Sequence, residues 1–337
     1  MKLGLKIAIS IVSVLLTLIL VFLGVYFFWP WNRDFFNNAT EEFSIPGLDS
    51  KFVPQGFTKI EGYNKYLICG YMSDGSPSRY YVIDAETKNV DKWFTLRYND
   101  LDLSIHAGGV ASSGSTLWTV SKESDGKGYA FKFLLSDIMN MEESGYAIDV
   151  RYVFDTYNNA DFVFTYDNML WVGEFYRDDN YLTDTSHHVQ TTSGETNRAM
   201  IYGFDIDEKN VAGVAIEFPQ KAISVRNLAQ GIAVTSSGNF VLSTSYGLAN
   251  SHIYYYKDIL NEPSQGKLVW AQNTIPLWYL DNNSLIKSIE IPSMSEEVVI
   301  ENNRVYILFE SACKKYKLFN RKRLDSVYSL PITYLEK

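Results

Sequence analysis

Val53-Pro54-Gln55-Gly56-Phe57, His106-Ala107-Gly108-Gly109-Val110 and Ala229-Gln230-Gly231-Ile232-Ala233 are three versions of one short phrase. Ala160-Asp161-Phe162-Val163 and Ser295-Glu296-Glu297-Val298-Val299 are looser copies. A turn and a second β-type run follow each copy, at 66–71, 116–121, 169–174, 240–245 and 305–310. Third runs fall at 79–83, 128–133, 199–205, 252–256 and 315–319. Fourth runs fall at 93–97, 149–154, 214–218, 285–291 and 327–330. The runs are rich in Val, Ile, Tyr, Phe and Trp, as strands are. Breaks such as Ser236-Ser237-Gly238-Asn239 and Glu301-Asn302-Asn303 carry hairpin-turn residues. Short helical turns are expected near 135–141 and 257–260. Four-stranded units recurring at intervals of roughly 50–70 residues describe an all-β fold, a β-propeller. A β-sandwich is the structural alternative, but it leaves the period unexplained.

The repeat count favours five blades. Phe43-Ser44-Ile45-Pro46 resembles the fourth-strand segments Ile289-Glu290-Ile291-Pro292 and Tyr328-Ser329-Leu330-Pro331. Both ends of the chain therefore offer a strand that closes the ring, and six blades stay open as the alternative.

Ahead of the repeats, Ile7 to Phe28 is an unbroken apolar run without a charge. It is long enough to cross a bilayer as a helix, which takes roughly 20 residues. Lys2 and Lys6 precede it and Trp29-Pro30-Trp31 follows, which places the lysines in the cytoplasm and the aromatic cluster at the far interface. A cleaved signal peptide would have a shorter core and small residues at its end. Here the run ends in Val25-Tyr26-Phe27-Phe28-Trp29, so an uncleaved signal-anchor is expected. Residues 1–35 then form a stub and span. Residues 36–337 form an extracytoplasmic domain on a single-pass plasma-membrane protein, and about 300 residues is normal for one large all-β domain.

The chain carries net −9; residues 1–35 contribute +2, which leaves −11 for the external part. A surface this acidic disfavours nucleic acid, which needs clustered Lys and Arg. It is compatible with cation binding, and it also serves solubility. Cys69 and Cys313 fall on the first and last blades, which are neighbours in a closed ring. A closure disulfide is conceivable there; two separate thiols are the other reading.

In a propeller, inner-strand starts and second-strand ends emerge on one face. The starts supply Gln55, His106, Asp161, Gln230, Glu296 and Glu297. The second-strand ends supply Tyr71, Ser121, Glu174, Ser245, Tyr246 and Glu310. Convergent polar groups in a concavity are where a ligand is sought first. Asp161, Gln230, Glu296 and Glu297 are hard oxygen donors that suit Ca²⁺ or Mg²⁺. Paired carboxylates also serve as acid and base when their pKa values are pushed apart. His106 and Glu174 are the candidates to move a proton. Tyr71, Tyr176 and Tyr246 would stack on a sugar. The plainer account is that channel mouths are polar because water fills them. The long segment 177–198, with His187-His188 near Asp184, would leave the same face as a lid or partner-binding arm. Adjacent histidines have no characteristic ligand spacing, so a solvated loop is the simpler reading. The segment Ser73-Asp74-Gly75-Ser76-Pro77-Ser78-Arg79 also leaves there, as a turn carrying hydroxyls and a cation for an anionic or sugar ligand.

Gln-Gly-Phe or Gly-Gly-Val opening a strand, followed by Leu-Trp-Val or similar, resembles bacterial extracytoplasmic propellers. More broadly, the repeats over about residues 43–332 resemble the strictosidine-synthase-like, SMP-30/gluconolactonase and paraoxonase superfamily. The resemblance implies a divalent cation in the channel and hydrolysis of lactones or phosphoesters. Those enzymes are six-bladed and place a Glu near the start of the first inner strand, where this chain has Gln55. Only Asp161 and the Glu296-Glu297 pair match a ligand role. Two functions are therefore expected: a membrane-anchored propeller that binds a small-molecule or protein ligand at its mouth, or a divalent-cation-dependent hydrolase of a lactone, phosphoester or glycan.

Overall fold

The computed structural model describes residues 2–29, 31–60, 62–123, 126–270 and 273–337, with side chains omitted at 2, 3, 27 and 28. Pro30 of the aromatic cluster and the side chain of Lys2 thus lie outside the described residues. Five antiparallel four-stranded blades surround one axis. Blade 1 is Phe52–Ile60, Lys65–Met72, Arg79–Asp84 and Val90–Tyr98. Blade 2 is Gly109–Ser113, Thr116–Lys122, Gly128–Leu134 and Tyr152–Asp155. Blade 3 is Phe162–Tyr166, Met169–Gly173, Ala199–Asp205 and Lys221–Val225. Blade 4 is Ala229–Val234, Phe240–Thr244, Ser251–Tyr256 and Leu285–Ile291. Blade 5 is Ser295–Glu301, Arg304–Phe309 and Ser326–Pro331, completed by the N-terminal strand Thr40–Ser44. The ring thus closes by joining the two ends of the chain, with Thr40 opposite Ser329 and Ser44 opposite Ser326.

Three expected strands are elsewhere. Residues 315–319 are turns, because Ser326–Pro331 takes the third place in blade 5 and Thr40–Ser44 the fourth. Residues 214–218 are irregular, and Lys221–Val225 is the outer strand of blade 3. That strand is largely buried, unlike most outer strands, because Asn273–Tyr279 covers its edge in parallel. The covering strand belongs to a hairpin, Gly266–Trp270 with Asn273–Tyr279, inserted between the third and outer strands of blade 4. Blade 1 receives the same kind of loan: Ala147–Asp149, from the equivalent place in blade 2, pairs in parallel with Val90–Tyr98. An outer strand that would present unpaired N–H and C=O groups is satisfied by the next blade. A short helix forms at Leu135–Met139 as expected, whereas 257–260 runs without one into a turn.

The core lies between blades, where large side chains interdigitate. Tyr80 and Phe94 of blade 1 stack with ring centres 5.1 Å apart, and both rings meet Phe133 of blade 2 edge-on. Trp118 is fully buried and donates its indole N–H to the Ala212 carbonyl at 3.2 Å.

Near the axis the backbones nearly touch. A Cβ on Gly56 would lie 2.7 Å from Gly109 Cα, and one on Gly109 would lie 2.7 Å from Val163 N. Glycine recurs in the repeat because a Cβ at these positions would meet neighbouring strands or the Glu297 side chain.

Helix α1 (Lys2–Phe28) stands off the ring and is apolar all round, with a stretch from Gly4 to Tyr26 long enough to cross a membrane. Helix α2 (Arg33–Asn38) follows and fixes the connection: Phe35 is buried against Phe309 and Tyr328 of blade 5.

Candidate functional site: the channel mouth

One residue before the axis glycine, each inner strand presents a side chain toward the mouth. These are Gln55, Asp161, Gln230 and Glu296; blade 2 has Gly108 there, whose Cβ would collide with the Asp161 backbone. At the axis position the residues are Gly56, Gly109, Phe162, Gly231 and, in blade 5, Glu297. Glu297 therefore reaches into space that glycines leave open. Its Oε1 accepts the Ile232 N–H at 3.1 Å. Its Oε2, buried and without a hydrogen-bond partner among the described residues, would lie 3.2 Å from a Cβ on Gly109. Burial pushes this carboxyl well above the usual range, which favours its protonated form. Glu297 thus occupies part of the axis that the glycines leave open.

The polar groups of the mouth concentrate on blades 5, 1 and 2. Glu296 and Glu310 share a hydrogen bond, and burial, followed by their mutual repulsion, raises the Glu296 carboxyl. Burial raises Glu310 to about 8, against the pull of Lys315. Such a pair retains its protons near neutrality. Gln55 Nε2 donates to Glu310 Oε2 at 3.1 Å and to the Pro54 carbonyl at 2.7 Å. Lys315 Nζ donates to the Tyr71 hydroxyl at 2.6 Å, and that hydroxyl lies 3.2 Å from the Tyr316 hydroxyl. His106 stacks on Tyr71, ring centres 4.7 Å apart. The His106 ring is open to water yet walled by protein; that enclosure, and then the Lys315 charge, lower its pKa and keep it neutral. Sequence reasoning missed Lys315 and Tyr316, because the stretch holding them reads as a strand. Their signal was the lysine pair directly after Cys313.

Other expected mouth residues serve the scaffold. Ser121 is buried, and its Oγ accepts the His106 backbone N–H at 3.2 Å. Ser245 is buried and takes a hydrogen bond from Ser251 at 3.0 Å, while Gln230 reaches the Ser245 carbonyl at 3.5 Å. Glu174 does not face the mouth. It is buried, bonded to His187 Nδ1 at 2.9 Å, and accepts N–H groups from Asn159 at 3.2 Å and Met200 at 3.0 Å. The Tyr202 hydroxyl lies 2.9 Å from His187 Nε2. Desolvation opposes the His187 charge, but the Glu174 hydrogen bond prevails and raises its pKa. The expected free loop at 177–198 is thus pinned to blade 3 through a buried Glu174–His187–Tyr202 chain. His188 turns to Thr183 at 3.2 Å, and Asp184 caps the turn through the Ser186 N–H at 2.8 Å. Tyr176 is buried with its hydroxyl on Asp178. Arg79 lies over Trp93, 4.7 Å from the ring centre, so it offers no cation to a mouth ligand. Tyr246 is exposed at the mouth beside Phe175 and Tyr181, with the Arg177 guanidinium 4.1 Å above its ring.

A divalent ion would need converging acid ligands, and the donor set does not fit one. Among the described residues no three His, Cys, Asp or Glu side chains gather in ligating geometry. The Asp161 carboxylate accepts the Phe175 N–H at 2.7 Å and is raised to about 7 by burial, with Glu174 as the neighbouring charge. Glu296 answers to Glu310 and Glu297. These are two separate acid groups. The cysteines are also apart: both are free and buried, and Cys69 Sγ donates to the Ala107 carbonyl at 3.4 Å, so no disulfide closes the ring.

No family model matches the chain, and no curated protein matches it in sequence. Similar solved structures include the PQQ-bound aldose sugar dehydrogenase of Streptomyces coelicolor, at 11% identity and TM-score 0.47, covering 87% of this chain and 96% of that one. The Myxococcus xanthus glutaminyl cyclase gives 10% and 0.45, covering 87% and 95%. The GH43_1 enzyme of Xanthomonas citri, complexed with xylotriose, gives 10% and 0.46, covering 89% and 92%. Scores this low carry no argument about activity. The class, a five-bladed β-propeller with an N-terminal apolar helix, rests on the sheet topology.

Proposed function

We propose that this protein is a membrane-tethered, extracytoplasmic propeller that binds a polar small molecule at its mouth without transforming it. The reading rests on one arrangement: the Glu296–Glu310 acid pair, braced by Gln55 and flanked by Lys315, Tyr71 and neutral His106. A protonated acid pair both donates and accepts, as do an amide and a phenol. Aromatic faces lie at both sides of the mouth. Together they suit a neutral polyhydroxylated ligand of the saccharide class. The anchor and the bias of Lys2 and Lys6 support the external location.

The same acid pair supports a second reading, a hydrolase. Glycoside hydrolysis needs carboxyls about 5 Å apart or more, and hydrogen-bonded carboxyls are closer. That leaves a lactone or phosphoester as the substrate for this reading.

The test is calorimetric titration of the full chain in nanodiscs with neutral oligosaccharides, in parallel with Glu310→Gln and Gln55→Ala. Saturable binding that weakens about tenfold in the variants supports the proposal. Absence of binding across the panel, or turnover of an added lactone or phosphoester that Glu310→Gln abolishes, overturns it.

A further inference from the structure

Residues 311–324 read SACKKYKLFNRKRL and contain no acid. Six cations, Lys314, Lys315, Lys317, Arg321, Lys322 and Arg323, fall within ten residues of a domain that is otherwise strongly acidic. Among the described residues none of the six lies within ion-pair distance of a carboxylate. Between them Leu318 and Phe319 stand out in solvent, 68% and 65% exposed. Exposed apolar side chains flanked by cations without a carboxylate partner are well matched to the interface of an anionic membrane.

The loop also lies where α1 leaves the domain. The Tyr26 hydroxyl donates to the Phe319 carbonyl at 3.2 Å. The Arg321 guanidinium lies 4.5 Å from the centre of the Trp31 ring. Trp31 in turn donates its indole N–H to the Tyr26 carbonyl at 3.0 Å. Tyr26 and Trp31 close the apolar helix, where aromatic residues mark the membrane–water interface. The loop follows directly on Arg304–Phe309 and Glu310, so it emerges on the mouth face.

We infer that residues 314–323 form a second membrane contact, in which Leu318 and Phe319 enter the interface and the exposed Lys314, Lys317 and Arg323 bind anionic lipid headgroups of the membrane that α1 spans. The domain then does not swing on a tether. It sits with its mouth toward the bilayer, and a ligand reaches Glu296 and Glu310 from along the membrane surface. The inference goes beyond ligand binding and rests only on α1 crossing the bilayer.

The full chain is reconstituted into vesicles of phosphatidylcholine, with or without about one-third phosphatidylglycerol. An environment-sensitive dye is placed by Leu318→Cys or, on the opposite face, by Ser236→Cys; the native cysteines are buried. Vesicle flotation first verifies the span. Brominated lipid should then quench the dye at 318 about threefold more than at 236, and only in anionic vesicles. Salt, or the triple variant K314Q/K317Q/R323Q, should remove the difference. A chain that floats with its 318 dye still in water overturns the second contact and leaves the span intact. Equal quenching in uncharged vesicles overturns headgroup recognition. A chain that fails to float overturns the span on which both depend.

Discussion

Glu297 and Gly231 are fitted to each other at the axis: a Cβ on Gly231 would lie 2.7 Å from Glu297 Cα and closer still to its carboxyl. Gly231→Ala must therefore displace backbone as well as side chain. Overpacking of this kind costs about 1–3 kcal/mol. Denaturant titration should show a lower midpoint with an unchanged slope; an unchanged midpoint would mean that the inner strands are looser than the structure shows.

The acids of the mouth and axis give stability an unusual pH dependence. A carboxyl whose folded pKa is raised binds its proton more tightly in the folded state. Its contribution is complete below the unfolded value, about 4.3, and is lost as pH rises through the folded value. For Asp161 and Glu310 those folded values are about 7 and about 8. Melting temperature should therefore fall from pH 4.5 to pH 8. Glu297→Gln, which needs no proton, should flatten the decline by removing up to about 1.4 kcal/mol per pH unit over its titration range. Parallel profiles for the variant and the parent would count against a neutral Glu297.

His187→Ala removes the partner of a buried carboxylate and leaves the Tyr202 hydroxyl unsatisfied. Breaking a buried pair from one side costs about 3–5 kcal/mol. The segment 177–198 should gain hydrogen exchange and protease sensitivity ahead of the blades. Because the His187 pKa is raised, the pair stabilises fully below about pH 6.5 and its contribution fades as pH rises through the folded value. Hydrogen exchange in this loop should rise with pH beyond the intrinsic rate in the parent protein but not in the variant.

Both cysteines should behave as core residues. Burial pushes the Cys313 thiol up to about 11 and the Cys69 thiol higher still. A thiol reagent should count two thiols in denaturant and none in the native protein, and reductant should leave the melting curve unmoved. A single reactive native thiol would mean that the loop after Glu310 opens.

The blades were legible because a repeat reports itself: all five inner strands and all five second strands lie where the three close and two looser copies of the phrase place them. The third run of blade 3, 199–205, matches its strand residue for residue. The outer strands were harder to read. The outer strand of blade 3 is Lys221–Val225 and not 214–218, covered by a hairpin from the next blade, and the fourth strand of blade 5 is not next to its blade in sequence. At the mouth, Gln55, Glu296 and Glu310 come together where position places them, since each follows from where its strand begins or ends. Position does not say which way a side chain turns. Glu174 occupies a mouth position by register but bonds inward to His187, a partner in a loop that shares no repeat with it. Lys315 escaped for the same reason, because the repeat breaks where it stands.

Closing the ring with Thr40–Ser44 has a consequence in time. That strand is made long before its partner Ser326–Pro331. At about 5–20 residues per second, the interval between them is on the order of 15–60 s. Throughout it, blade 5 cannot be completed and the ring stays open, whatever the state of the other four. On the membrane-tethered reading, insertion of α1 would hold the waiting strand near the place where the rest of the chain arrives. Keeping the ends close shortens the search that a pairing of such long sequence separation otherwise requires.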